Sequence, residues 1–417
     1  MKHHTAAIVA LTLLAGIAGA QTVDTGRSTQ PVAPPKPDVA TSSAPRMYTA
    51  ADGTKYTVET VVSKLEIPWA MAFAPDGRCF VTEKKGRVRI IDAEGKLVEK
   101  PALTVASVDA TGGERGLMGI CLHPDFATNH FVYLAYGDKA ANDIRVVRFK
   151  ESEGTLTLDR EIVTGIETGG NHAGCGIRFG PDKKLYISTG EHFQRDIAQK
   201  MDNLNGKFLR VNDDGSVPSD NPWAGANAKE GVRGEIWTIG NRNPQGFDWH
   251  PKTGMMYATE HGPSGEPVNN GKSAGGADEF NLIEKGKNYG WPAIYGDAKQ
   301  EGMVSPLKHW SPANAPCGGA FVTSDKMFAG WVGNYMAAGL GGLQRERVPG
   351  VYMVKLSEDG RSVASVDRLV PDMGRIRAVA QAPDGSIWFS TSNKDGRARG
   401  MGDSAKDDQV CRIVPVK

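Results

Sequence analysis

The chain has 417 residues, and its 49 basic and 48 acidic side chains leave a formal charge of +1. This even balance, without a Lys/Arg-rich stripe interleaved with aromatic residues, argues against a phosphate backbone as a partner, so no nucleic acid is predicted. The five cysteines are too widely spaced for a disulfide scaffold or a zinc site, although one or two bridges stay open in an oxidising compartment. Most of them are expected to be small buried core residues: Cys79, Cys121, Cys175, Cys317 and Cys411.

The amino terminus has the pattern of an export signal. A short basic start precedes an apolar run of about a dozen residues, which is too short to span the ~30 Å core of a bilayer. Residues 18–20 then read Ala-Gly-Ala, the small residues that a signal peptidase requires. We therefore expect residues 1–20 to be a signal peptide that is cleaved near Ala20, and the mature protein to be periplasmic or secreted. No membrane span is predicted, because no later apolar run is long enough; a cytoplasmic protein with an apolar tail is the alternative.

Residues 21–46 are rich in Pro, Ser, Thr and Ala and contain almost no large apolar side chains. Such a segment buries too little surface to offset its ordering entropy, so it is predicted to be a disordered linker. The remaining residues, 47–417, are predicted to form one repeat-built domain.

A tight turn followed by a strand recurs along this domain. Proline presets the turn, Asp and Gly complete it, and the β-branched and aromatic residues that follow suit a half-buried strand. No segment between the copies shows a sustained helical period. Five clear copies lie at 74–82, 123–134, 180–188, 250–259 and 382–390, and a degenerate sixth lies at 328–338.

Six turn-strand copies predict an all-β fold, a six-bladed β-propeller with four-stranded antiparallel blades. A last strand near residues 409–414 is expected to pair with the first blade and close the ring. A pair of β-sandwiches is the alternative.

Polar and glycine-rich clusters interrupt the strand pattern and are candidate binding loops. In residues 169–176, four glycines surround His172, which allows a ligand to approach closely, and imidazole accepts a proton near neutral pH. Taken alone, this pattern fits a structural histidine better than a catalytic one. A second cluster holds Arg242 and Asn243, which can bind carboxylates or quinone oxygens or, alternatively, clamp loop carbonyls.

Two further clusters point to ions. Gly262 and Pro263 form a turn whose backbone carbonyls are suitable ligands for calcium. Arg375 and Arg377 alternate along a strand and share one face, where two guanidinium groups repel unless an anion lies between them. This pair indicates a multiply charged ligand, with a solvated basic face as the alternative. Motifs of nicotinamide, acyl-transfer and zinc-protease enzymes do not occur.

With these clusters in this order, the chain resembles the soluble aldose sugar dehydrogenases that depend on pyrroloquinoline quinone (PQQ). More distantly, it resembles the soluble quinoprotein glucose dehydrogenases. This resemblance implies oxidation of aldose sugars to lactones by hydride transfer to PQQ held beside Ca²⁺, with an electron acceptor that it leaves unidentified. The matching segments lie at 67–73, 114–126, 171–176, 240–246, 260–263, 278–292 and 375–377.

The resemblance also implies roles for individual residues. His172 is the general base that takes the proton of the anomeric hydroxyl, and Arg242 stabilises the charge that grows on the quinone oxygen. The calcium ligands are the carbonyls of Gly262 and Pro263. The residues implied to bind the cofactor are Glu114, Arg242, Asn243, Arg375 and Arg377.

The sequence departs from the family pattern at three places. Glu114 stands where the family often has Gln, residues 264–276 are an insertion, and residues 338–342 offer no counterpart to a cofactor-contacting lysine, so weaker cofactor binding is expected. Two other functions stay open. One is a propeller that only binds a glycan or protein partner. The other is a calcium-dependent propeller lactonase with these candidate metal ligands: Glu114, Asn171, Asn243 and Glu260.

Overall fold

The computed structural model describes residues 46–268, 272–341, 348–398 and 407–416. For residues 264–268 and 272–275 it describes the backbone only. The predicted signal peptide and the predicted linker, apart from Arg46, lie outside the described residues. Within the described part of the chain, no helix is long and apolar enough to cross a membrane.

The strands form six sheets around an axis and one inserted hairpin. The first described strands are β1 (Arg46–Thr49) and β2 (Lys55–Leu65). Blade 1 contains β3 (Pro68–Phe73), β4 (Cys79–Glu83), β5 (Arg87–Ile91) and β6 (Leu103–Thr104). Blade 2 contains β7 (Leu117–Leu122), β8 (Phe131–Asp138), β9 (Asp143–Ser152) and β10 (Thr155–Glu167). Blade 3 contains β11 (Gly174–Phe179), β12 (Leu185–Thr189), β13 (Lys207–Val211) and β14 (Ile236–Thr238).

Blade 4 contains β15 (Pro244–Trp249), β16 (Met256–Glu260), β19 (Asp278–Ile283) and β20 (Lys308–Trp310), with the hairpin β17 (Ser264–Val268) and β18 (Lys272–Gly275) inserted. Blade 5 contains β21 (Pro316–Phe321), β22 (Tyr335–Gly339), β23 (Gly350–Leu356) and β24 (Val363–Leu369). Blade 6 contains β25 (Ile376–Gln381), β26 (Ile387–Thr391) and β27 (Asp408–Pro415), followed outward by β2 and β1. The described helices are short: one α-helical turn (Phe126–Asn129) and three 3₁₀ turns (Arg195–Gln199, Gly225–Asn227 and Ala329–Trp331).

The ring closes through strands from both ends of the domain. The innermost strands contact one another in the order β3, β7, β11, β15, β21 and β25, and β25 contacts β3 again. In blade 6, β27 pairs with β26 on one side and with β2 on the other, where Ile413 lies opposite Val58. The six-bladed propeller is therefore confirmed, and a pair of β-sandwiches is excluded. The last strand does help to close the ring, but it pairs with β2 inside blade 6 and not, as predicted, with a strand of blade 1.

Each turn-strand copy joins the innermost strand of a blade to its second strand. In all six copies a backbone hydrogen bond closes the turn, for example from the Gly77 N–H to the Ala74 carbonyl at 3.0 Å. The second strands are buried along almost their whole length. Because a strand in the middle of a blade packs against neighbouring blades on both faces, its sequence is continuously apolar rather than alternating.

The innermost strands approach one another closely around the axis. A Cβ atom on Gly119 would lie 2.3 Å from the Cys175 carbonyl oxygen, and one on Gly176 would lie 2.1 Å from the Gln245 carbonyl oxygen. These positions therefore require glycine for space. All five cysteines are free and buried, which agrees with the prediction that most are core residues.

Every blade also has a register shift between its innermost and second strands, close to the start of the innermost strand. Such bulges bend a strand and redirect the residues beside them. The loops that precede the six innermost strands therefore meet at one end of the axis.

Candidate active site

A cavity of about 480 Å³ lies between these loops. Loops that precede innermost strands and loops that follow second strands contribute most of its lining. Arg377 on β25 and Asp278 at the start of β19 complete it. The predicted site residues that line it are Glu114, His172, Gly262, Pro263, Arg375 and Arg377.

Strand register explains which residues meet. The second strand runs antiparallel to the innermost strand, so residues just after the former lie beside residues just before the latter. In blade 3, Thr189 pairs with Gly174. Glu191, two residues beyond Thr189, therefore lies beside His172, two residues before Gly174.

His172 and Glu191 form a tight pair. Nδ1 of His172 lies 2.5 Å from Oε1 of Glu191, and both residues are buried. An ionised carboxylate only accepts hydrogen bonds, so Nδ1 carries the proton and Nε2 is left to accept one. The second oxygen of Glu191 has no hydrogen-bond partner among the described residues. Within the described part of the chain, the carboxylate therefore interacts with His172 alone, and it fixes both the orientation and the tautomer of the imidazole ring.

Glu114 is a second buried carboxylate. It accepts a hydrogen bond from the backbone N–H that follows His172, at 3.1 Å, and one from the Asn243 side-chain amide, at 3.2 Å. Burial raises the pKa of this carboxyl. The charges of His261, His172 and Arg377 lower it more strongly, and the result is a pKa of about 2. Glu114 is therefore ionised at neutral pH.

The buried arginine pair has an anion of its own. Nε and Nη2 of Arg375 lie 2.9 Å from Oδ2 of Asp395, and Nη2 of Arg377 lies 3.8 Å from the same oxygen. The charge repulsion that the sequence analysis assigned to a bound ligand is thus partly relieved within the chain. Burial acts to raise the pKa of Asp395, but the two arginines lower it below its usual range.

One negative charge between two cations leaves Arg377 less well compensated. Arg375 also donates to the carbonyls of Leu340 and Gly341, at 3.0 and 3.3 Å. Arg377 instead stacks 3.9 Å from the ring centroid of Trp69 and donates to a sulfur atom, and its Nε has no partner among the described residues. Arg377 is therefore the less fully paired of the two arginines, and it lines the cavity, where an anionic ligand would offset its charge.

Arg242 and Asn243 lie behind the cavity wall. Asn243 accepts from the Gly174 N–H at 3.0 Å and donates to Glu114. Arg242 donates to the His261 carbonyl at 2.9 Å and lines a smaller adjoining cavity. Glu260 and Glu279 line that second cavity too. Burial raises the pKa of both carboxyls above the usual range, and the nearby Glu260 raises that of Glu279 further. The structure does not bring Arg242 into the main cavity.

The Gly262–Pro263 turn could hold a cation through its backbone. Asp278 accepts from the Gly262 N–H at 2.8 Å, and the Pro263 carbonyl accepts from the Gly276 N–H at 2.9 Å, which leaves that carbonyl a second lone pair. Among the described residues there is no group of three or more His, Cys, Asp or Glu side chains arranged to hold a metal. A cation here would therefore depend on carbonyl oxygens.

Sequence reasoning missed Glu191, Phe193 and Asp395. Glu191 and Asp395 follow the second strands of blades 3 and 6, and Phe193 follows Glu191 by two residues. Glu191 and Asp395 could have been found by their position, because each is a polar residue shortly after a second strand and lies opposite a candidate residue that precedes the innermost strand.

The comparisons with known proteins identify the class: the chain is similar to sugar dehydrogenases, which are oxidoreductases. The family model described as Glucose / Sorbosone dehydrogenase matches residues 65–399, and the chain belongs to this family. The resemblance seen in the sequence is thereby confirmed.

Three similar proteins have functional names. The aldose sugar dehydrogenase YliI of Escherichia coli is 34% identical over 361 residues, which cover 81% of this chain and 91% of that protein. Quinoprotein glucose dehydrogenase B of Acinetobacter calcoaceticus is 28% identical over 290 residues, or 62% of this chain and 57% of that protein. The PQQ-bound structure of an aldose sugar dehydrogenase from Streptomyces coelicolor is 30% identical, with a TM-score of 0.70, and the match covers 86% of this chain and 99% of that one.

Proposed function

We propose that this protein oxidises aldose sugars to lactones by hydride transfer to PQQ held beside calcium, with His172 as the general base. One observation carries the proposal: a histidine oriented by a buried carboxylate opens into the same cavity as a buried arginine pair. Family membership and the PQQ-bound structural relative support it.

His172 would remove the proton of the anomeric hydroxyl. Glu191 holds the proton on Nδ1, so Nε2 is the accepting atom, and the imidazolium formed by proton transfer stays beside the carboxylate. This arrangement of a base oriented by a third group is common to enzymes that activate hydroxyl groups.

The cofactor would accept the hydride and so supply the redox chemistry. The chain would hold it by charge, because Arg375 and Arg377 line the cavity and are placed to bind carboxylates. The carbonyls of Gly262 and Pro263 would hold calcium, in a turn that Asp278 fixes through the Gly262 N–H. Arg242 supports this wall through the His261 carbonyl.

Export remains part of the proposal. Cleavage near Ala20 would release the domain into the periplasm or the medium, where free sugars and an electron acceptor, still unidentified, would be its partners.

Reconstitution tests the proposal. Apoprotein that begins at Gln21 is titrated with PQQ, with and without Ca²⁺, and dye reduction is followed with a panel of aldoses. We expect calcium-dependent PQQ binding and turnover of at least one sugar. A protein that binds PQQ and oxidises none of them would refute the sugar assignment.

The base is tested by His172→Ala. Turnover should fall by about 10²–10⁴-fold, the usual contribution of a general base, while PQQ still binds. The matched control is His309→Ala, which removes a histidine on β20 that pairs with Asp297 outside the cavity. Unchanged turnover in His172→Ala would refute the assigned role.

The rival functions make different predictions. A propeller that only binds a glycan or a protein shows no spectral change when PQQ is added. A calcium-dependent lactonase needs its carboxylates to converge on one metal, but Glu114 lines the main cavity and Glu260 lines the adjoining one. This division favours the dehydrogenase.

A further inference from the structure

An exposed aromatic ring stands at the mouth of the cavity. Phe193 is 52% exposed, and its ring centroid lies 3.8 Å from that of His172. Among the described residues that line the cavity, Phe193 is the only phenylalanine, tyrosine or tryptophan. A large apolar side chain so exposed and so close to the base calls for a physical reason.

The backbone holds this ring in place at a conformational cost. His192 and Phe193 both have positive φ, 39° and 67°, a region that side chains other than glycine disfavour. The turn is tied down on both sides: the Glu191 N–H donates to the Arg242 carbonyl at 2.9 Å, and the Gln194 N–H donates to the Glu191 carbonyl at 2.7 Å. Residues kept in such conformations cluster at ligand sites.

The cavity has two chemically different sides. Arg375 and Arg377, joined by Asp395, form a side suited to anions. On the other side, Phe193 lies against His172, the proposed base. An aromatic face there offers dispersion and apolar contact but no hydrogen bond, whereas the arginine side offers charge.

We propose that Phe193 is a substrate-specificity residue, a platform that packs against the apolar C–H face of a pyranose ring and presents its anomeric hydroxyl to Nε2 of His172. This inference rests on the proposed oxidation of aldoses. Pyranoses whose hydroxyls are mostly equatorial have the flattest C–H faces, so the platform favours them over sugars with axial hydroxyls on that face. The ring sits within contact distance of the imidazole, so a sugar stacked on it is next to the base.

The test uses the holoenzyme and four variants. Phe193→Ala removes the platform, Phe193→Leu keeps an apolar side chain without the flat face, and Phe193→Trp keeps the face. Leu158→Ala is the matched control, because Leu158 is 65% exposed but lies on β10, the outer strand of blade 2. For each variant, kcat and KM are measured for several aldoses, and PQQ affinity is measured by absorbance titration without sugar.

We expect Phe193→Ala to raise KM for equatorial pyranoses about tenfold, the effect of one good aromatic contact, and to change kcat by less than about threefold. Phe193→Leu should be intermediate, Phe193→Trp should restore KM, and PQQ affinity should stay within about twofold in all of them. Leu158→Ala should match the wild type.

Three results would overturn the inference. An unchanged KM in Phe193→Ala would show that the sugar does not stack on this ring. If PQQ affinity falls by the same factor as KM rises, Phe193 contacts the cofactor and not the sugar. If kcat falls and KM is unchanged, Phe193 covers His172 but does not bind the sugar. Active wild-type holoenzyme distinguishes these failures from failure of the proposed function, in which the wild type itself oxidises no aldose and the platform has no substrate.

Discussion

Replacing Glu191 by Gln tests whether the carboxylate, and not just a hydrogen-bond acceptor, supports His172. The amide has the same shape and can still accept from Nδ1, so the ring can keep its orientation, but the negative charge beside the nascent imidazolium is lost. Glu191 has no exposed surface, and its 2.5 Å contact with His172 is therefore not screened by water.

Hydrogen bonds to charged groups contribute about 1.5–3 kcal/mol, and each ~1.4 kcal/mol corresponds to a factor of ten in rate. We therefore expect kcat/KM for the preferred aldose to fall about 10- to 100-fold. The loss should appear in kcat, because Glu191 acts on a charge that forms during the reaction, while PQQ affinity should change little.

Steady-state kinetics of the PQQ-saturated enzyme, with the C1-deuterated sugar alongside, measures the effect on the chemical step. The control is Glu151→Gln, which neutralises a buried carboxylate on β9 that pairs with Arg78 and is absent from the cavity lining. In a His172→Ala background, Glu191→Gln should have almost no further effect, since the two residues act as a unit. Additive losses, or a single variant within about twofold of the wild type, would refute this reasoning.

Three further predictions concern binding and stability. Glu114→Gln should tighten PQQ binding severalfold in a calorimetric titration. Because the folded-state pKa of Glu114, about 2, lies below its ordinary value of 4.5, its stabilising effect is present above pH 4.5 and lost toward pH 2, so the variant apoprotein should lose less stability over that range in urea melts. Asp395→Asn should destabilise the apoprotein by about 3–5 kcal/mol, and saturating PQQ should recover more stability in this variant than in the wild type; equal recovery would contradict the charge argument. Gly176→Ala should cost at least ~1–3 kcal/mol because its methyl group meets the Gln245 carbonyl oxygen, whereas Gly330→Ala, with nothing within 4 Å, should melt like the wild type.

The sequence was sufficient for the architecture because the decisive signals are local. The turn at Ala74–Gly77 and its counterparts are recognisable from their Pro, Asp and Gly residues. The second strands that follow are buried on both faces, so they are written as consecutive apolar residues. The closing strand β27 follows from the same counting. Six turns imply six blades, and a ring needs its two ends to meet.

The site was only partly predictable, and register is the reason. His172 and Arg375 stood out because they sit in unusual loops before innermost strands, whereas Glu114 was named only through the family resemblance. Their partners Glu191 and Asp395 lie 19 to 20 residues away, and which residue faces which depends on where each strand ends and on the bulge beside it. The position of Arg242 in the adjoining cavity depends on the same details, which no motif records.

The charges that line the cavity suggest why the proposed calcium site matters in a chain that has no lysine in residues 338–342. Three arginines, at 375, 377 and 397, face three carboxylates, at 114, 278 and 395, so the described lining is balanced before any ligand binds. The cofactor proposed for this cavity brings several carboxylates, and this chain has no lysine in residues 338–342 to offset them. A divalent cation at the Gly262–Pro263 carbonyls would supply the missing positive charge. PQQ affinity should therefore depend steeply on calcium. Gly341→Lys, in the cavity lining beside Arg375, should weaken that dependence in absorbance titrations at several Ca²⁺ concentrations, although a side chain at a φ of 63° will cost some stability.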